Sequence, residues 1–333
     1  KNFDIDFLNL NPLHMKKKLN AAIIIIVGRP KLFKKTIKLF YENWNNKFKY
    51  PVYVHCLREV FTLKETREYK KKYQNIFFKN VHPQVPKHIK ENELFYNRVY
   101  NNYSFTNFNK GRLGYLHVLY FASNISSFGE KGCLCKEMKK YDYILRIDDD
   151  SWFRKKINFD FFKKIKKYPM GTAELKLTQN NKIHLTREKL FEFLQNYTKH
   201  NKIKVVNKTL LSILNQKNEK KLFNLKYTMG NFDLYNMKYF KSKKFYKFIK
   251  KVNKFGGQYK FRWADYDIIN LFLYIYFSNP IFDLNLSKKI YYPAHPDAEV
   301  IIDDISIYGR FVNFILKRLK RYHYIIKTFF NVN

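Results

Sequence analysis

Ala21-Ala-Ile-Ile-Ile-Ile-Val27, stopped by Gly28-Arg29-Pro30, is the longest apolar stretch of the chain. It has the length of a strand, and no position in it suits water, so it reads as a strand buried on both faces. Such strands belong to parallel sheets covered by helices on each side. The neighbouring segments keep the alternation that such a sheet requires. Leu32 to Trp44 carries apolar residues at helical spacing, Val52-Tyr-Val-His55 alternates like a strand, Leu63 to Tyr73 is a charged helix, and Ile76 to Phe78 is a third strand. Tyr143-Ile-Leu-Arg-Ile147 is a further buried strand, reached through a helix from Arg112 to about Ser126. The expected fold class is α/β, with a single, mostly parallel, doubly wound sheet and flanking helices.

The rest of the chain is more mixed. Asn80 to Lys110 reads as a long loop, and long ordered loops in compact domains usually serve function. Met170 to Leu175 reads as a strand, Thr186 to Tyr197 as a helix capped at Thr186, and Met237 to Val252 as a longer basic helix. Gly256-Gly257 punctuates. Asp265 to Phe277 is an apolar helix, Ile290 to Tyr292 a short strand, and Val312 to Phe330 a basic, aromatic tail helix. Packing of that tail on the domain is favoured over contact with an anionic membrane surface. The expected organisation is an extension over residues 1–20, one domain over 21–300 and a tail over 301–333.

Composition excludes several classes. With 333 residues, 46% hydrophobic and 19% aromatic, the chain can bury a large core and is not disordered. The formal charge of +38 would attract any polyanion. The basic residues are nevertheless spread along the whole chain, and Lys, Asn, Ile, Tyr and Phe are abundant together, as an AT-rich coding sequence dictates. No recognised nucleic-acid motif accompanies them, so nucleic-acid binding is the alternative and not the main reading. Cys56, Cys133 and Cys135 are too few for a disulfide framework or a four-thiolate zinc site. Sequons such as those at Asn124, Asn196, Asn207 and Asn285 arise readily by chance in an Asn-rich chain. No run of about 20 apolar residues offers a membrane span, and the chain starts at Lys1, so the sequence leaves an N-terminal signal or anchor open.

The chemistry is expected where the second long strand ends. Asp148-Asp149-Asp150 follows Ile147 directly, and three crowded carboxylates repel one another unless a cation neutralises them. In open α/β sheets ligands bind beyond the carboxyl ends of the strands. An all-oxygen set there suits Mn²⁺ or Mg²⁺, shared with the phosphates of a substrate. The plain alternative is an acidic turn that caps a helix.

Tyr141-Asp-Tyr-Ile-Leu-Arg-Ile-Asp-Asp-Asp-Ser-Trp-Phe153 resembles the metal-binding segment of the Golgi α-1,2-mannosyltransferases. Downstream, Gly230-Asn-Phe-Asp-Leu234 resembles that family's Ser-Asn-Phe-Glu block, and Gly256-Gly257 with Phe261-Arg-Trp-Ala-Asp265 resembles its Gly-Gly and Arg-Trp-Gly-Asp blocks. Upstream, Val27-Gly-Arg29 and Tyr115-Leu-His-Val-Leu-Tyr-Phe121 match in the same order. The likeness covers about Ala21 to His295 in short islands. It departs from the family where Asp148-Asp149-Asp150 replaces Glu-Pro-Asp, where Asp233 stands for Glu, and where Ala264 stands for Gly.

That resemblance implies the GT-A fold of nucleotide-diphospho-sugar transferases. It also implies a retaining transfer of mannose from GDP-mannose to a glycan acceptor on a glycoprotein or glycolipid, in α-1,2 linkage. Another hexose carried by a UDP-sugar is the alternative donor. By the same likeness the metal ligands are Asp148, Asp150 and His295, or His295 is a plain loop residue. Arg29, Tyr115, Asp148 and Asp149 bind the nucleotide sugar. Asp233 and Asp265 are catalytic: Asp233 faces the sugar centre as nucleophile or electrostatic stabiliser, or merely binds its hydroxyls, and Asp265 with Trp263 shapes the acceptor pocket. For Trp263 the alternative is core packing, and for Asp265 a helix N-cap. Arg146, inside the strand, is read as a support for the carboxylates. The resemblance places the protein in the Golgi, in peripheral contact with a membrane.

Overall fold

The computed structural model describes residues 18–56, 59–81, 84–95, 112–128, 134–177, 187–217, 219–228 and 230–293. The apolar run forms β1 (Ala21–Val27), which lies between β2 (Val52–Cys56) and β4 (Tyr143–Asp148) and is parallel to both. β3 (Ile76–Asn80) continues the sheet beyond β2. On the other side, β9 (Phe232–Asn236) pairs antiparallel with β4 and with β6 (Met170–Thr172), and β10 (Ile281–Asp283) closes that edge. The resulting seven-stranded order is β10-β6-β9-β4-β1-β2-β3. The order reverses at β1/β4, which makes the crevice beyond Val27 and Asp148 the place where a ligand belongs.

Every residue of β1 is buried, none more than 4% exposed. Its side chains alternate between two cores. Ala22, Ile24 and Ile26 meet one layer, and Ala21, Ile23, Ile25 and Val27 meet the other. Burying one such Ile contributes about 2 kcal/mol, so the strand that reads most plainly in the sequence also anchors both layers. The second layer contains Phe33, Ile37 and Phe40 of α1 (Pro30–Phe40), which Pro30 starts in the helix-compatible first position. The first contains much of α8 (Asp265–Tyr276), whose residues are almost all buried.

Further helices, besides short turns at Asn46–Phe48, Phe161–Lys164 and Gly257–Lys260, are α2 (Leu63–Lys72), α3 (Arg112–Ser123), α4 (Leu190–His200), α5 (Lys208–Asn215), α6 (Met237–Phe240) and α7 (Lys243–Phe255). Four expectations are corrected. The helix expected over Leu32 to Trp44 gives way to a π-helical turn at Tyr41–Asn45. The helix expected over Met237 to Val252 is two helices, because the Ser242 side chain accepts the Phe245 N–H and starts a new one. The helix expected from Thr186 begins at Leu190, after Lys189 in a left-handed conformation, and Thr186 lies outside the described residues. The strand expected to reach Leu175 ends at Thr172. The tail helix and most of the long loop over Asn80 to Lys110 also lie outside the described residues.

Two short ribbons flank the main sheet. β7 (Lys176–Leu177) pairs with β8 (Lys226–Tyr227), and β5 (Ser151–Phe153) pairs antiparallel with β11 (Tyr291–Pro293). The second ribbon matters for the site, because β5 begins immediately after the three aspartates.

Candidate active site

Asp148 ends β4, Asp149 and Asp150 make the turn, and Ser151 opens β5. This turn is held from below. The Ser151 hydroxyl takes the Asp148 N–H at 3.2 Å and donates to the Asn231 carbonyl at 2.9 Å, while the Tyr291 hydroxyl lies 3.0 Å from Ser151 Oγ and 2.9 Å from the same carbonyl. Three elements thus fix the direction in which the carboxylates leave the sheet. Sequence reasoning did not find Ser151, Asn231 or Tyr291 in this role, since the contact depends on strands far apart in the chain.

The three aspartates do different work. Asp149 Oδ2 accepts the main-chain N–H of Gly28 at 2.9 Å and of Arg29 at 2.7 Å, and Oδ1 accepts the Arg29 guanidinium through Nε at 2.9 Å and through a terminal nitrogen. Its carbonyl also accepts the Thr36 hydroxyl at 2.6 Å. Asp149, expected at the nucleotide, is therefore spent on fastening the loop after β1 to the turn after β4. Arg29 is thereby laid against the turn, and its guanidinium reaches Asp150 at 2.8 Å. Asp148 is held from the strand itself, with Arg146 at 2.9 Å, and keeps more than a quarter of its side chain exposed.

Arg146 is the second organising cation. Its side chain is 2% exposed, and it pairs with Asp148, with Asp265 and, at 3.4 Å, with Asp233. Asp233 stands directly opposite Arg146 because β9 runs antiparallel to β4 in that register. Asp233 Oδ2 also accepts the Tyr235 hydroxyl at 3.1 Å, while Oδ1 is buried without a hydrogen-bond partner. Asp265 is the first residue of α8, so Ala264 and not Asp265 occupies the N-cap, and the carboxylate sits at the positive end of that helix. Gly230, at φ +71°, lets the chain turn closely past Tyr266 and Asp265.

Five carboxylates (Asp148, Asp149, Asp150, Asp233 and Asp265) and two guanidiniums (Arg29 and Arg146) make up this cluster, a deficit of three positive charges if all are ionised. Burial accordingly pushes Asp150 up to about 7, with repulsion from Asp148 and Asp149 adding to it and Arg29 opposing. Burial likewise raises Asp233 to about 7 in spite of Arg146. Asp148, Asp149 and Asp265 are also raised, burial again being the main cause. A site short of positive charge, with carboxylate oxygens and Asp148 partly open, fits a divalent cation shared with substrate phosphates. Among the described residues no group of three or more His, Cys, Asp or Glu side chains is arranged to hold a metal by itself, and His295 lies outside them.

The remaining expectations divide. Tyr115, on α3, is 44% exposed, and the Arg262 guanidinium lies 4.9 Å from its ring centre. Its hydroxyl is within the electrostatic reach of Asp265 and Asp148. Trp263, expected to offer a face to the acceptor, is fully buried, stacked on Phe255 at 5.1 Å, and donates its indole N–H to the Glu188 carbonyl at 2.8 Å. It packs the core. Gly257 makes room for it, since a Cβ there would lie 1.9 Å from the indole ring. A second buried ion pair, Arg187 with Asp267 at 2.5 Å, braces the first turn of α8 next to Asp265. No local pattern signals that pairing, because its partners lie 80 residues apart.

Solved structures show the same fold at low identity. Core-mannan synthase A from Aspergillus fumigatus, in a Mn/GDP form, superposes with a TM-score of 0.64 at 17% identity, over 86% of this chain and 77% of that one. The mannosyltransferase Ktr4p from S. cerevisiae gives 0.64 at 20% identity, over 87% and 76%, and its complex with GDP gives 0.63 at 21%, over 78% and 68%. No curated protein matches the chain. The family model described as glycolipid 2-alpha-mannosyltransferase matches residues 1–299. With the aspartate turn, the facing Asp233 and the first-turn Asp265 all on one crevice of this sheet, the chain belongs to the glycolipid 2-alpha-mannosyltransferase family of glycosyltransferases.

Proposed function

We propose that the protein transfers mannose from GDP-mannose to a hydroxyl of a glycan on a glycoprotein or glycolipid, with retention and in α-1,2 linkage. The observation that carries this reading is the acidic turn at the β1/β4 crevice, against which Asp149 presses Arg29. A nucleotide diphosphate brings the negative charge that Arg29 would meet, and the base and ribose would extend past the end of β1. A divalent cation held by Asp148 and Asp150, with His295 as the proposed third ligand, would supply the leaving diphosphate with positive charge.

Arg146 holds Asp148, Asp233 and Asp265 in fixed relation, so their charge is directed at one place before substrate arrives. The buried setting of Asp233, 1% exposed and bonded by Arg146 and Tyr235, favours electrostatic stabilisation of an oxocarbenium-like sugar centre over direct attack on it. Asp265 would accept from sugar hydroxyls, and the exposed Tyr115 would close on the nucleotide sugar. Golgi placement accords with the family. No helix among the described residues is long and apolar enough to cross a membrane.

The test is transfer and thermal-shift measurement with GDP-mannose, UDP-glucose and UDP-galactose, each with and without Mn²⁺. A ligand bound by the folded state alone raises its apparent stability. A Mn²⁺-dependent shift and transfer with GDP-mannose only is the expected result. A response only to a UDP-sugar would replace the donor, and a response to neither nucleotide class would overturn the proposal.

A further inference from the structure

The block Phe261-Arg-Trp-Ala-Asp265 gives Trp263 to the core and Asp265 to the acidic cluster. The role of Arg262 follows from its backbone and from what its side chain meets. We propose that Arg262 is a positioning residue, which holds the Tyr115 ring so that its hydroxyl is directed at the crevice by Asp148 and Asp265; this rests on the transfer reading above and names what sets Tyr115 for it.

Arg262 has φ +56°, a left-handed conformation that suits glycine and disfavours residues with a Cβ. It lies just past the short turn Gly257–Lys260 and its cap Phe261, where chains leaving a helix usually place glycine. The Gly257 carbonyl accepts the Phe261 N–H at 3.0 Å and the Trp263 N–H at 3.1 Å, and the buried Trp263 ring fixes the exit. Glycine would serve this turn better. What an arginine adds there is its side chain, held at the cost of local strain.

That side chain reaches α3. The guanidinium lies 4.9 Å from the centre of the Tyr115 ring, within the range of about 6 Å over which a cation is attracted to an aromatic face. A planar guanidinium also stacks on such a face as an ammonium does not. The segment that carries Arg262 is fastened to α3 on both sides. Before it, the Tyr259 hydroxyl lies 2.9 Å from His117 Nδ1, and the Tyr259 ring lies 5.4 Å from that of Tyr120. After it, Ala264 shares a small core with Leu116 and Leu119. Tyr115 itself stays 44% exposed, and an open ring has rotamer freedom to lose when it closes on a ligand. Contact with Arg262 restrains it beforehand. Burial raises the Tyr115 phenol above its ordinary value, and the Arg262 charge, the strongest acting on it, opposes this ahead of the contributions of Asp265 and Asp148. The hydroxyl end is thus held at the edge of the acidic cluster.

Arg262→Gly separates the side chain from the turn, since glycine takes a positive φ without strain. Its Tm should equal or exceed that of wild type, while kcat for transfer from GDP-mannose to methyl α-D-mannopyranoside with Mn²⁺ should fall by about tenfold to a hundredfold. In a Tyr115→Phe background the same replacement should cost less than about twofold, because Arg262 acts through that hydroxyl. Arg262→Lys should recover only part of the loss. Wild-type kcat in Arg262→Gly, or an equal loss with and without the Tyr115 hydroxyl, overturns the assignment. If Arg262→Gly loses its fold by circular dichroism, Arg262→Asn takes its place, since Asn also tolerates the left-handed region. Fluorine NMR of the whole protein with 3-fluorotyrosine in place of Tyr115 reads the contact without any transfer. Its resonance should move towards that of the free amino acid when Arg262 is replaced, and an unmoved resonance overturns the assignment whatever the kinetics. The two proposals therefore fail separately. A wild type that transfers no mannose, with a resonance that moves, would refute mannosyl transfer and keep Arg262 as the residue that places Tyr115; transfer with an unmoved resonance would do the reverse.

Discussion

Replacing Arg146 by Met tests the electrostatic account of the site most directly. The side chain is 2% exposed, and its guanidinium serves Asp148, Asp233 and Asp265 at once. Removing one partner of a buried ion pair typically costs about 3–5 kcal/mol, because the other charge is left buried and unpaired. Here three carboxylates lose their shared cation, so the upper end applies at a pH where they are ionised. They have an escape, which is protonation. Asp233 already stands at about 7 with Arg146 in place, and without it all three carboxylates rise further. A carboxyl group whose folded pKa lies above its unfolded one contributes stability that is complete below the unfolded value and is lost as pH rises through the folded one. The variant should therefore lose about 4 kcal/mol relative to wild type at pH 8 and no more than about half of that at pH 5.5. Urea unfolding at the two pH values measures this, and Arg146→Lys should recover only part, since one ammonium cannot span three carboxylates as a guanidinium fork does. An equal loss at both pH values, or a loss under about 1 kcal/mol at pH 8, would refute the reasoning.

Asp150→Asn removes a carboxylate that burial and its neighbours hold at about 7; it should raise metal-free stability at pH 8 by about 1 kcal/mol while abolishing the Mn²⁺-dependent thermal shift with GDP-mannose, and a metal-free protein made less stable would contradict this. His55 is fully buried, accepts the Cys135 N–H at 3.3 Å, and is pushed down to about 4 by burial. Its contribution is complete above about 6.5 and lost as pH falls towards 4, a change of about 3 kcal/mol; His55→Gln should flatten acid unfolding in that window, and an unchanged slope would dismiss the assignment. Gly257→Ala places a methyl 1.9 Å from the Trp263 ring and should cost about 1–3 kcal/mol with a red shift of tryptophan emission, whereas wild-type stability would show that the ring has room to move.

How much of this was legible beforehand depends on the range of the interaction. The run Ala21 to Val27 has one local solution, a strand buried on both faces, and the structure has it. The β/α alternation up to Ile76 and the strand ending at Asp148 are equally local, so the sheet and the position of the acidic turn could be read from periodicity and propensity. Helix boundaries were less legible. The break at Ser242 turns on one hydroxyl competing for a backbone N–H, a local bond that apolar periodicity does not weigh.

The site divides along the same line. The amino-acid sequence by itself determined that three carboxylates stand at a strand end, that Arg29 follows the first strand, and that an Arg inside the strand Tyr143 to Ile147 must find acidic partners. Only the tertiary structure decided which partners. Asp233 faces Arg146 from 87 residues away because β9 enters the sheet antiparallel, Asp149 spends one oxygen on the Gly28–Arg29 backbone and the other on the Arg29 guanidinium, and Trp263 turns into the core. Local patterns state what each residue must satisfy. Which distant group satisfies it is settled by strand register and packing, where burying a charge unpaired costs more than any propensity can offset.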